Sequence, residues 1–503
     1  MKTKITNYIR AGYPGLYLVS HEEQRVTVEL TSIAKDLKYQ LVFWSAVDGL
    51  VNVENKTTTA ANDPLEALIA VGEMKEKTLI VLRDFHLFLQ DPNPILIRQL
   101  KDVLQMAKTK CKTLIILGCR MVLPPELERE LTVIEFALPG KEELRAVLAG
   151  IMESAGIKNM ENEEREKVID AASGLTTIEA ENAFALSVVE SKGIDPVIVG
   201  KEKAQAVKKN GLLELIETKE TLDSIGGLDV LKEWLLKRRN AFGQKAIEFG
   251  LPPLKGVLII GISGCGKSLT AKATARVFGV PLLKLDAGRI YGGLVGQSEA
   301  NLRSVIQTAE AIAPCCLWLD EAEKALSGSK SSNSTDGGTS ARVFGSFLSW
   351  MQEKTAPVFV VATANDVSQL PPELLRKGRW DELWFVDLPN QAEREAIWGI
   401  QIGKHGRDPK DFDLVQLAKA TEGLTGSEIE QVFIEALFVA FDSGSEAGEK
   451  EPTDLDIGGV LTEFVPLSRL MAEQIGSLRQ WSKGRARLAT SPGVERGLRK
   501  LAV

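Results

Sequence analysis

Short apolar runs, separated by polar and glycine-containing stretches, recur along this chain. In the C-terminal half they cover positions 256–260, 315–319 and 358–364, and the first run is followed by a predicted helix at 269–276. Strands of a parallel sheet that is covered on both faces have continuous apolar sequences of this kind. The pattern therefore predicts an α/β fold, in which a parallel sheet is flanked by helices.

The turn after the first apolar run has the pattern G-x-x-x-x-G-K-S, from Gly261 to Ser268. Its glycines allow backbone N–H groups to curl around a phosphate, and the following helix directs its positive N-terminal end to the same group. Lys267 would bring a charge to the β- and γ-phosphates, and the Ser268 hydroxyl would bind Mg²⁺. The pattern predicts a nucleotide-binding loop with these candidate residues: Gly264, Cys265, Gly266, Lys267, Ser268 and Leu269.

The two later apolar runs end in polar side chains that suit phosphate chemistry. Asp320 and Glu321 follow one run, and Asn365 follows the other. Parallel strands deliver their carboxyl ends to one edge of the sheet, where ligands bind. We expect Asp320 to hold Mg²⁺ through water, Glu321 to activate the attacking water, and Asn365 to hydrogen-bond that water or the γ-phosphate.

Two arginines, Arg376 and Arg379, flank a glycine turn further along the chain. The planar guanidinium group suits phosphate, and an arginine from a neighbouring subunit can stabilise the transition state of phosphoryl transfer. Taken alone, an arginine in such a turn more often forms a surface salt bridge. Both interpretations stay open at this point.

In their order and spacing, these motifs resemble the ATPase module of the AAA family over residues 221–465. The loop at 261–268 resembles the Walker A motif, and Leu317 to Glu321 resembles Walker B. Ser224-Ile-Gly-Gly-Leu228 resembles the first motif of the module, and Gly423-Leu-Thr-Gly-Ser-Glu-Ile429 resembles its lid motif. The resemblance implies a P-loop NTPase fold of the AAA+ type with a helical lid, with nucleotide contacts from Ile225, Gly226 and Gly426.

The same resemblance implies a homo-oligomeric ring, a hexamer, in which Arg376 and Arg379 act on the ATP of the adjacent subunit. It also identifies Asn365 with the residue known as sensor 1. Members that thread polypeptides carry an aromatic residue in a pore loop, where this chain has Leu294 and Val295. Aliphatic side chains grip an extended chain less well, so threading is in doubt.

The N-terminal half repeats the organisation of the C-terminal half. Segments 123–129 and 173–179 parallel segments 370–376 and 422–428, with nearly the same spacing between them. Internal similarity of this kind indicates a duplicated architecture. We therefore predict a second, AAA-like α/β domain that precedes the ATPase module.

The chemistry of the first copy has been lost. Its apolar run at 16–20 leads into Glu22 and Glu23, with no glycine and no lysine, and these carboxylates would repel phosphate. Asp84 stands where the Walker B aspartate is expected, and Phe85 where the catalytic glutamate is expected. We predict a degenerate domain that neither binds ATP tightly nor hydrolyses it, and that serves as a platform for partners.

The predicted domain organisation has four parts. They are a degenerate domain at 1–191, a linker at 192–220 with a helical piece at 201–216, a large α/β subdomain at 221–390, and a helical lid with a basic tail at 391–503. From Arg469 to Val503 there are eight Lys and Arg residues and two acidic residues. This tail, which begins with a predicted helix at 466–485, is either a solvated basic helix or a contact for an acidic partner or a nucleic acid.

Composition excludes some classes of protein. No apolar run approaches the roughly 18 residues of a membrane span, and five scattered cysteines without a C-x-x-C pair are typical of a reduced compartment. The net charge of −7 gives no global attraction for nucleic acid.

A closer resemblance, to plastid and cyanobacterial members of the family, implies the plastid stroma or the cyanobacterial cytoplasm.

The sequence thus predicts an ATP-binding hydrolase, an ATPase that uses Mg²⁺ and couples hydrolysis to the remodelling of a macromolecule. The sequence does not identify that macromolecule. One alternative is a slow, nucleotide-gated scaffold whose N-terminal domain binds partners. Another is a ring that acts on nucleic acid through the basic tail and the low-complexity insert at 327–340.

Overall fold

The computed structural model describes all residues except 92, 158–159, 210, 243–245, 247, 291–296, 327–336, 377, 444–449 and 492–503. The pore-loop residues Leu294 and Val295, most of the insert at 327–340 and the end of the basic tail therefore lie outside the described residues. The chain divides into two compact units, unit 1 at 1–203 and unit 2 at 204–503.

Unit 1 is built around a mixed sheet of seven described strands. The strands are β1 (Gly15–Val19), β2 (Gln40–Ser45), β3 (Gly49–Asn52), β4 (Thr58–Thr59), β5 (Thr78–Arg83), β6 (Thr113–Gly118) and β7 (Thr132–Glu135). The helices are α1 (Lys2–Arg10), α2 (Glu23–Leu37), α3 (Pro64–Glu73), α4 (Pro94–Thr109), α5 (Lys141–Ser154), α6 (Asn162–Ala172), α7 (Thr177–Ser191) and α8 (Pro196–Lys209), of which α8 runs across the division.

Unit 2 also contains seven described strands in one sheet. They are β8 (Leu213–Ile216), β9 (Gly256–Gly261), β10 (Leu282–Leu285), β11 (Cys315–Leu319), β12 (Val358–Ala364), β13 (Glu382–Val386) and β14 (Arg487–Leu488). The helices around the sheet are α9 (Asp229–Arg238), α10 (Lys267–Phe278), α11 (Ala287–Ile290), α12 (Gln297–Ile312), α13 (Ala322–Leu326) and α14 (Gly337–Glu353). The helices that follow are α15 (Gln391–Lys404), α16 (Leu414–Ala420), α17 (Gly426–Ser443), α18 (Asp454–Glu463), α19 (Leu467–Leu470) and α20 (Ala472–Ser482).

The two sheets share the topology of their five central strands. In unit 1 five parallel strands run in the order β2-β5-β6-β1-β7, and in unit 2 five parallel strands run in the order β10-β11-β12-β9-β13. If the five strands of each unit are numbered one to five along the chain, their order in both sheets is 2-3-4-1-5. The duplicated α/β architecture that the sequence predicts is confirmed.

The central strand of unit 2 shows why the apolar runs are continuous. Val257 and Ile259 pack into the core on one face of the sheet, and Leu258 and Ile260 pack into the core on the other. Successive side chains of a strand point to opposite faces, so a strand covered on both sides needs apolar residues throughout. All four side chains are fully buried.

Two helix predictions need correction. The helical piece expected at 201–216 ends at Lys209, and Leu213–Ile216 forms the edge strand β8, antiparallel to β10. The alternation Leu213-Glu214-Leu215 suits a strand with one buried face, and Gly211 turns the chain with a φ of +68°. The helix expected at 466–485 is interrupted at Met471 and forms α19 and α20.

The lid of unit 2 is a cluster of helices around a small aromatic core. Trp398 and Phe433 are fully buried where α15 meets α17, and α18 packs on α17. None of the helices that the structure describes combines the length and apolar character needed to cross a bilayer.

Candidate functional site

Unit 2 contains a cavity of about 300 Å³ at the carboxyl ends of β9, β11 and β12. Among the residues that line it are all the predicted nucleotide and metal residues and two of the four predicted catalytic residues: Ile225, Gly226, Gly264, Cys265, Gly266, Lys267, Ser268, Leu269, Asp320, Glu321, Asn365 and Gly426. The predicted catalytic residues Arg376 and Arg379 are not among the described residues that line it. The structure thus brings together motifs that span 200 residues of sequence.

The loop after β9 has the backbone geometry that an anion cradle requires. Gly264 and Gly266 adopt left-handed conformations, with φ of +78° and +90°. Residues with a Cβ rarely adopt this region, so the turn depends on glycine at both positions. Helix α10 begins at the next residue, Lys267, and the first amides of a helix have no partner within it. These amides are available to a bound anion.

The side chain of Lys267 lies against the loop. Its ammonium donates to the carbonyls of Gly261 and Ile262 at 2.8 and 2.7 Å, and only 6% of the residue is exposed. Burial lowers the pKa of this ammonium to about 8, and the neighbouring carboxylates oppose the shift only in part. A phosphate in the cavity would supply the counter-charge that the buried ammonium needs.

A threonine on β12 organises the two acidic residues after β11. The Thr363 hydroxyl donates to Asp320 Oδ1 at 2.7 Å and accepts from the Glu321 N–H at 3.1 Å. Glu321 has a left-handed backbone with a φ of +48°, and its side chain forms an ion pair of 2.8 Å with Lys324. The second oxygen of Asp320 lies 3.4 Å from Lys284 Nζ. Thr363 therefore fixes the Asp320 carboxylate and the Glu321 backbone at one edge of the sheet, and Lys324 holds the Glu321 carboxylate.

The end of β12 is tied to the helix that follows the acidic pair. The Asn365 N–H donates to Glu323 Oε1 at 3.0 Å, and Glu323 is buried on α13. This contact leaves the Asn365 side chain, which is partly exposed, beside the cavity. An amide there can orient a water molecule between the acidic pair and a phosphate.

The donors in the cavity fit Mg²⁺. The Ser268 hydroxyl and the Asp320 carboxylate are hard oxygen ligands, which this ion prefers, and a small number of protein ligands with added phosphate oxygens is typical of its sites. Of the two contacts of the Asp320 carboxylate, the 3.4 Å contact with Lys284 is the longer and therefore the weaker.

The wall predicted to contact adenine packs closely on the lid. A Cβ on Gly226 would lie 2.4 Å from Ile397 of α15, and a Cβ on Gly264 would lie 2.1 Å from the Ser427 hydroxyl of α17. The Ser427 N–H also donates to the Gly264 carbonyl at 3.1 Å. Because the lid touches both the loop and the wall, a change in lid position must change the shape of the cavity.

The two arginines lie in the turn between β12 and β13, next to a 3₁₀ helix at 372–375. Arg376 is exposed, and Arg379 is partly exposed and donates to the Glu373 carbonyl. Their location outside the residues that line the cavity is compatible with action on another subunit, and that role stays a prediction.

Unit 1 carries counterparts of the cavity residues, and the strand register identifies them. When the first residues of β1 and β9 are aligned, the paired strands place Arg83 where Asp320 lies and Asp84 where Glu321 lies. Asp84 and Glu321 also share a left-handed backbone, with φ of +53° and +48°. Two independent features therefore give the same alignment.

This alignment corrects the sequence interpretation, which placed Asp84 at the Walker B aspartate and Phe85 at the catalytic glutamate. That assignment is wrong by one residue. The sequence comparison matched Asp84 with Asp320 because both are aspartates that follow an apolar strand. Strand β5 has six residues and β11 has five, so the residue after β5 corresponds to the second residue after β11. Phe85 is a fully buried core residue, and the counterpart of Asp320, the predicted metal ligand, is Arg83.

The charges of the nucleotide loop are reversed in unit 1. Glu23 is the first residue of α2, and its counterpart Lys267 is the first residue of α10. Glu23 forms an ion pair of 3.0 Å with Arg83. Helix α2 begins eight residues after the start of β1, whereas α10 begins eleven residues after the start of β9, so the loop is three residues shorter. A shortened loop with acidic residues supports the prediction that unit 1 does not bind ATP tightly.

Glu22 makes the contact that joins the shortened loop to the helices of unit 1. It is 4% exposed, accepts from the Thr177 N–H at 2.6 Å and forms an ion pair of 2.5 Å with Arg25. Thr177 is the first residue of α7, and Gly426 is the first residue of the corresponding helix of unit 2, α17. A carboxylate of the protein itself therefore occupies the helix N-terminus that in unit 2 borders the cavity.

We expect Glu22→Ala to lower the free energy of unfolding of unit 1 by about 2 kcal/mol, because the Thr177 N–H loses its buried acceptor and Arg25 loses this ion pair and keeps the one with Glu143. Chemical denaturation followed by circular dichroism measures the change. Glu23→Gln is the matched control, since its ion pair is half exposed and should contribute less than about 1 kcal/mol. Equal effects of the two substitutions would contradict the role given to Glu22.

Four residues of the site were not predicted from sequence: Lys284, Glu323, Thr363 and Glu393. Lys284, Glu323 and Thr363 act through partners on other elements, so their surroundings in the sequence contain no motif. Glu393 is the exception, because Asn390-Gln-Ala-Glu393 has the spacing of a capping box at a helix start.

Parts of the chain match known protein families. Residues 257–388 match the ATPase family associated with various cellular activities (AAA), and residues 411–456 match the AAA+ lid domain. Residues 1–136 match the N-terminal domain of SpoVK-like AAA ATPases, and residues 142–210 match the second domain of that group.

Several relatives are similar over nearly the whole chain, and each is named "Uncharacterized AAA domain-containing protein ycf46". The relative from Trieres chinensis is 40% identical over 494 residues, which cover 97% of both chains. The relative from Guillardia theta is 38% identical over 96% of this chain and 95% of its own length, and the one from Pyropia yezoensis is 38% identical over 96% and 98%. This chain therefore belongs to the ycf46 family of AAA domain-containing proteins.

Proposed function

We propose that the protein is an Mg²⁺-dependent ATPase that assembles as a homo-oligomeric ring, a hexamer, and uses hydrolysis to remodel a macromolecule. The observation that carries this proposal is the convergence of Lys267, Asp320, Glu321 and Asn365 on one cavity beside a left-handed glycine loop. The membership of the AAA family supports it.

Nucleotide binding follows from the groups that line the cavity. The amides of the glycine loop and the Lys267 ammonium bind the β- and γ-phosphates, and Ile225, Gly226 and Gly426 contact the base. Ser268 and Asp320 hold Mg²⁺. When bound, this ion neutralises the charge that develops on the phosphates.

Hydrolysis then needs a positioned water and a proton acceptor. Glu321 accepts the proton as water attacks the γ-phosphorus, and Asn365 orients the water, so that ADP and inorganic phosphate are released. The bond from Ser427 to Gly264 connects this site with the lid. Loss of the γ-phosphate therefore changes the packing between loop and lid, which is the movement that a remodelling enzyme would use.

The proposal is tested by ATP turnover with and without Mg²⁺, together with mass measured by light scattering with and without ATP. We expect Mg²⁺-dependent phosphate release and a mass several times that of the 54.9 kDa chain when ATP is present. Absence of nucleotide binding would overturn the proposal. Very slow turnover with ATP-dependent assembly would favour a nucleotide-gated scaffold. The supporting observation is the shortened loop of unit 1, where Glu22 occupies the N-terminus of α7.

The structure weakens the case for a nucleic-acid ring. Two arginines of the basic tail are paired within unit 2, Arg479 with Asp387 at 2.8 Å and Arg487 with Glu382 at 3.5 Å. Paired charges attract phosphate backbones less than free ones. The predicted location, plastid stroma or cyanobacterial cytoplasm, rests on the family resemblance.

The pKa of Lys267 predicts a pH dependence of nucleotide affinity. In the empty cavity its ammonium loses its proton near pH 8, whereas bound phosphates stabilise the charged form. We expect the dissociation constant for ATP to be constant below pH 7.5 and to rise above pH 8, by up to about tenfold per pH unit. A fluorescence titration with labelled ATP measures this rise. AMP is the control, because it has no β-phosphate and its affinity should stay flat.

A further inference from the structure

The C-terminal segment 487–491 lies against the element that supports the base wall. Strand β14 pairs with β13 in parallel, and the Ala489 N–H donates to the Phe385 carbonyl at 3.0 Å. The Ala489 carbonyl accepts from the Leu231 N–H of α9 at 3.1 Å, and Ala489 is fully buried. The segment therefore bridges the edge of the sheet and the first turn of α9.

Glu393 connects this segment to the wall itself. Its Oε1 accepts from the Thr490 hydroxyl at 2.6 Å and from the Leu228 N–H at 3.0 Å. Its Oε2 accepts from the Asn390 N–H at 2.9 Å at the start of α15. Glu393 is 8% exposed and lines the cavity. One buried carboxylate thus joins the wall, the lid and the C-terminal segment.

The backbone at this junction is held in an unfavourable conformation. Gly227 and Leu228 are both left-handed, with φ of +83° and +56°. A non-glycine residue keeps such a conformation only where surrounding contacts enforce it. The bond from Leu228 to Glu393 is one such contact, and Ser491, which donates its N–H to Asp229 Oδ1 at 2.8 Å, supplies another on the following residue.

We propose that Thr490 and Glu393 are positioning residues for the adenine-binding wall, and that the segment 487–491 thereby sets the affinity for adenine nucleotides. The inference rests on the proposed function. Thr490 acts through Glu393 on Leu228, which ends the segment of Ile225 and Gly226 and so limits the positions that these two residues can take. The phosphate loop is held by other contacts, those of Lys267 and Ser427.

The substitution Thr490→Val distinguishes the positioning of the adenine-binding wall from a general destabilisation of the fold. The substitution keeps the shape of the side chain and removes the hydroxyl that donates to Glu393. We expect the dissociation constants for ATP and ADP to rise about tenfold, since a hydrogen bond to a charged group is lost. Binding of inorganic tripolyphosphate with Mg²⁺ should not change, because this probe has no base. Isothermal calorimetry measures all three ligands.

Two further variants complete the experiment. Thr490→Ser should restore wild-type affinity, and Thr462→Val, which removes an exposed hydroxyl on α18, should leave every affinity unchanged. Unchanged ATP affinity in Thr490→Val, or equal weakening of ATP and tripolyphosphate, would overturn the inference. If the wild-type protein binds tripolyphosphate but not ATP, the inference fails and a phosphate site remains. If it binds neither, the proposed function fails as well.

Discussion

Glu321→Gln is expected to reduce ATP turnover by about 10²-fold or more while leaving nucleotide affinity close to that of the wild type. Glutamine keeps the volume of the side chain but cannot accept a proton from the attacking water. The backbone contact of Glu321 with Thr363 does not involve the carboxylate and should survive. Phosphate release gives the turnover, and a filter-binding titration gives the affinity.

Glu463→Gln is a suitable control, because it makes the same change at an exposed position on α18. We expect its turnover to match that of the wild type. If Glu321→Gln retained full turnover, Glu321 would not be the base, and the assignment of Asn365 beside it would lose its basis.

Arg379→Ala is expected to leave ATP binding intact and to reduce turnover by about 10³-fold. The reason is that an arginine from a neighbouring subunit stabilises charge that develops only in the transition state. The structure places Arg379 at a partly exposed turn outside the lining of its own cavity. Turnover and affinity are measured as for Glu321→Gln, with Arg98→Ala as the control for an exposed arginine.

Mixing two inactive variants distinguishes action within a subunit from action between subunits. In a mixed ring, an Arg379→Ala subunit keeps its own Glu321 and can receive Arg379 from a Glu321→Gln neighbour. Equal mixing should therefore restore about a quarter of wild-type turnover if the subunits assemble at random. If the mixture stays inactive although the subunits co-assemble, Arg379 acts within its own subunit or not at all.

The loop and the strands of unit 2 could be predicted because their physical requirements are local. A phosphate loop needs glycines with positive φ at Gly264 and Gly266, and a doubly covered strand needs an unbroken apolar run. Both requirements appear in consecutive residues. The carboxylates Asp320 and Glu321 could be predicted for the same reason, since they directly follow such a run.

The parts that escaped prediction depend on distant residues. Thr490 reaches Glu393 across 97 positions, and Glu22 reaches Thr177 across 155. The register of unit 1 is a further example, because residue identity favoured Asp84 as the counterpart of Asp320 whereas the paired strands favour Arg83. Only the hydrogen-bonded register of the strands shows which residues correspond when the sequence alignment is shifted by one residue.

The reversed ion pair of unit 1 bears on whether a phosphate site could be restored there. To recover a phosphate site, this unit would need three inserted residues in the loop and opposite charges at Glu23 and Arg83. Either charge change alone would replace the attraction between these two partly exposed side chains by a repulsion. A phosphate site could therefore be engineered into unit 1 only by combining the insertion with both charge changes, and no single substitution should create one.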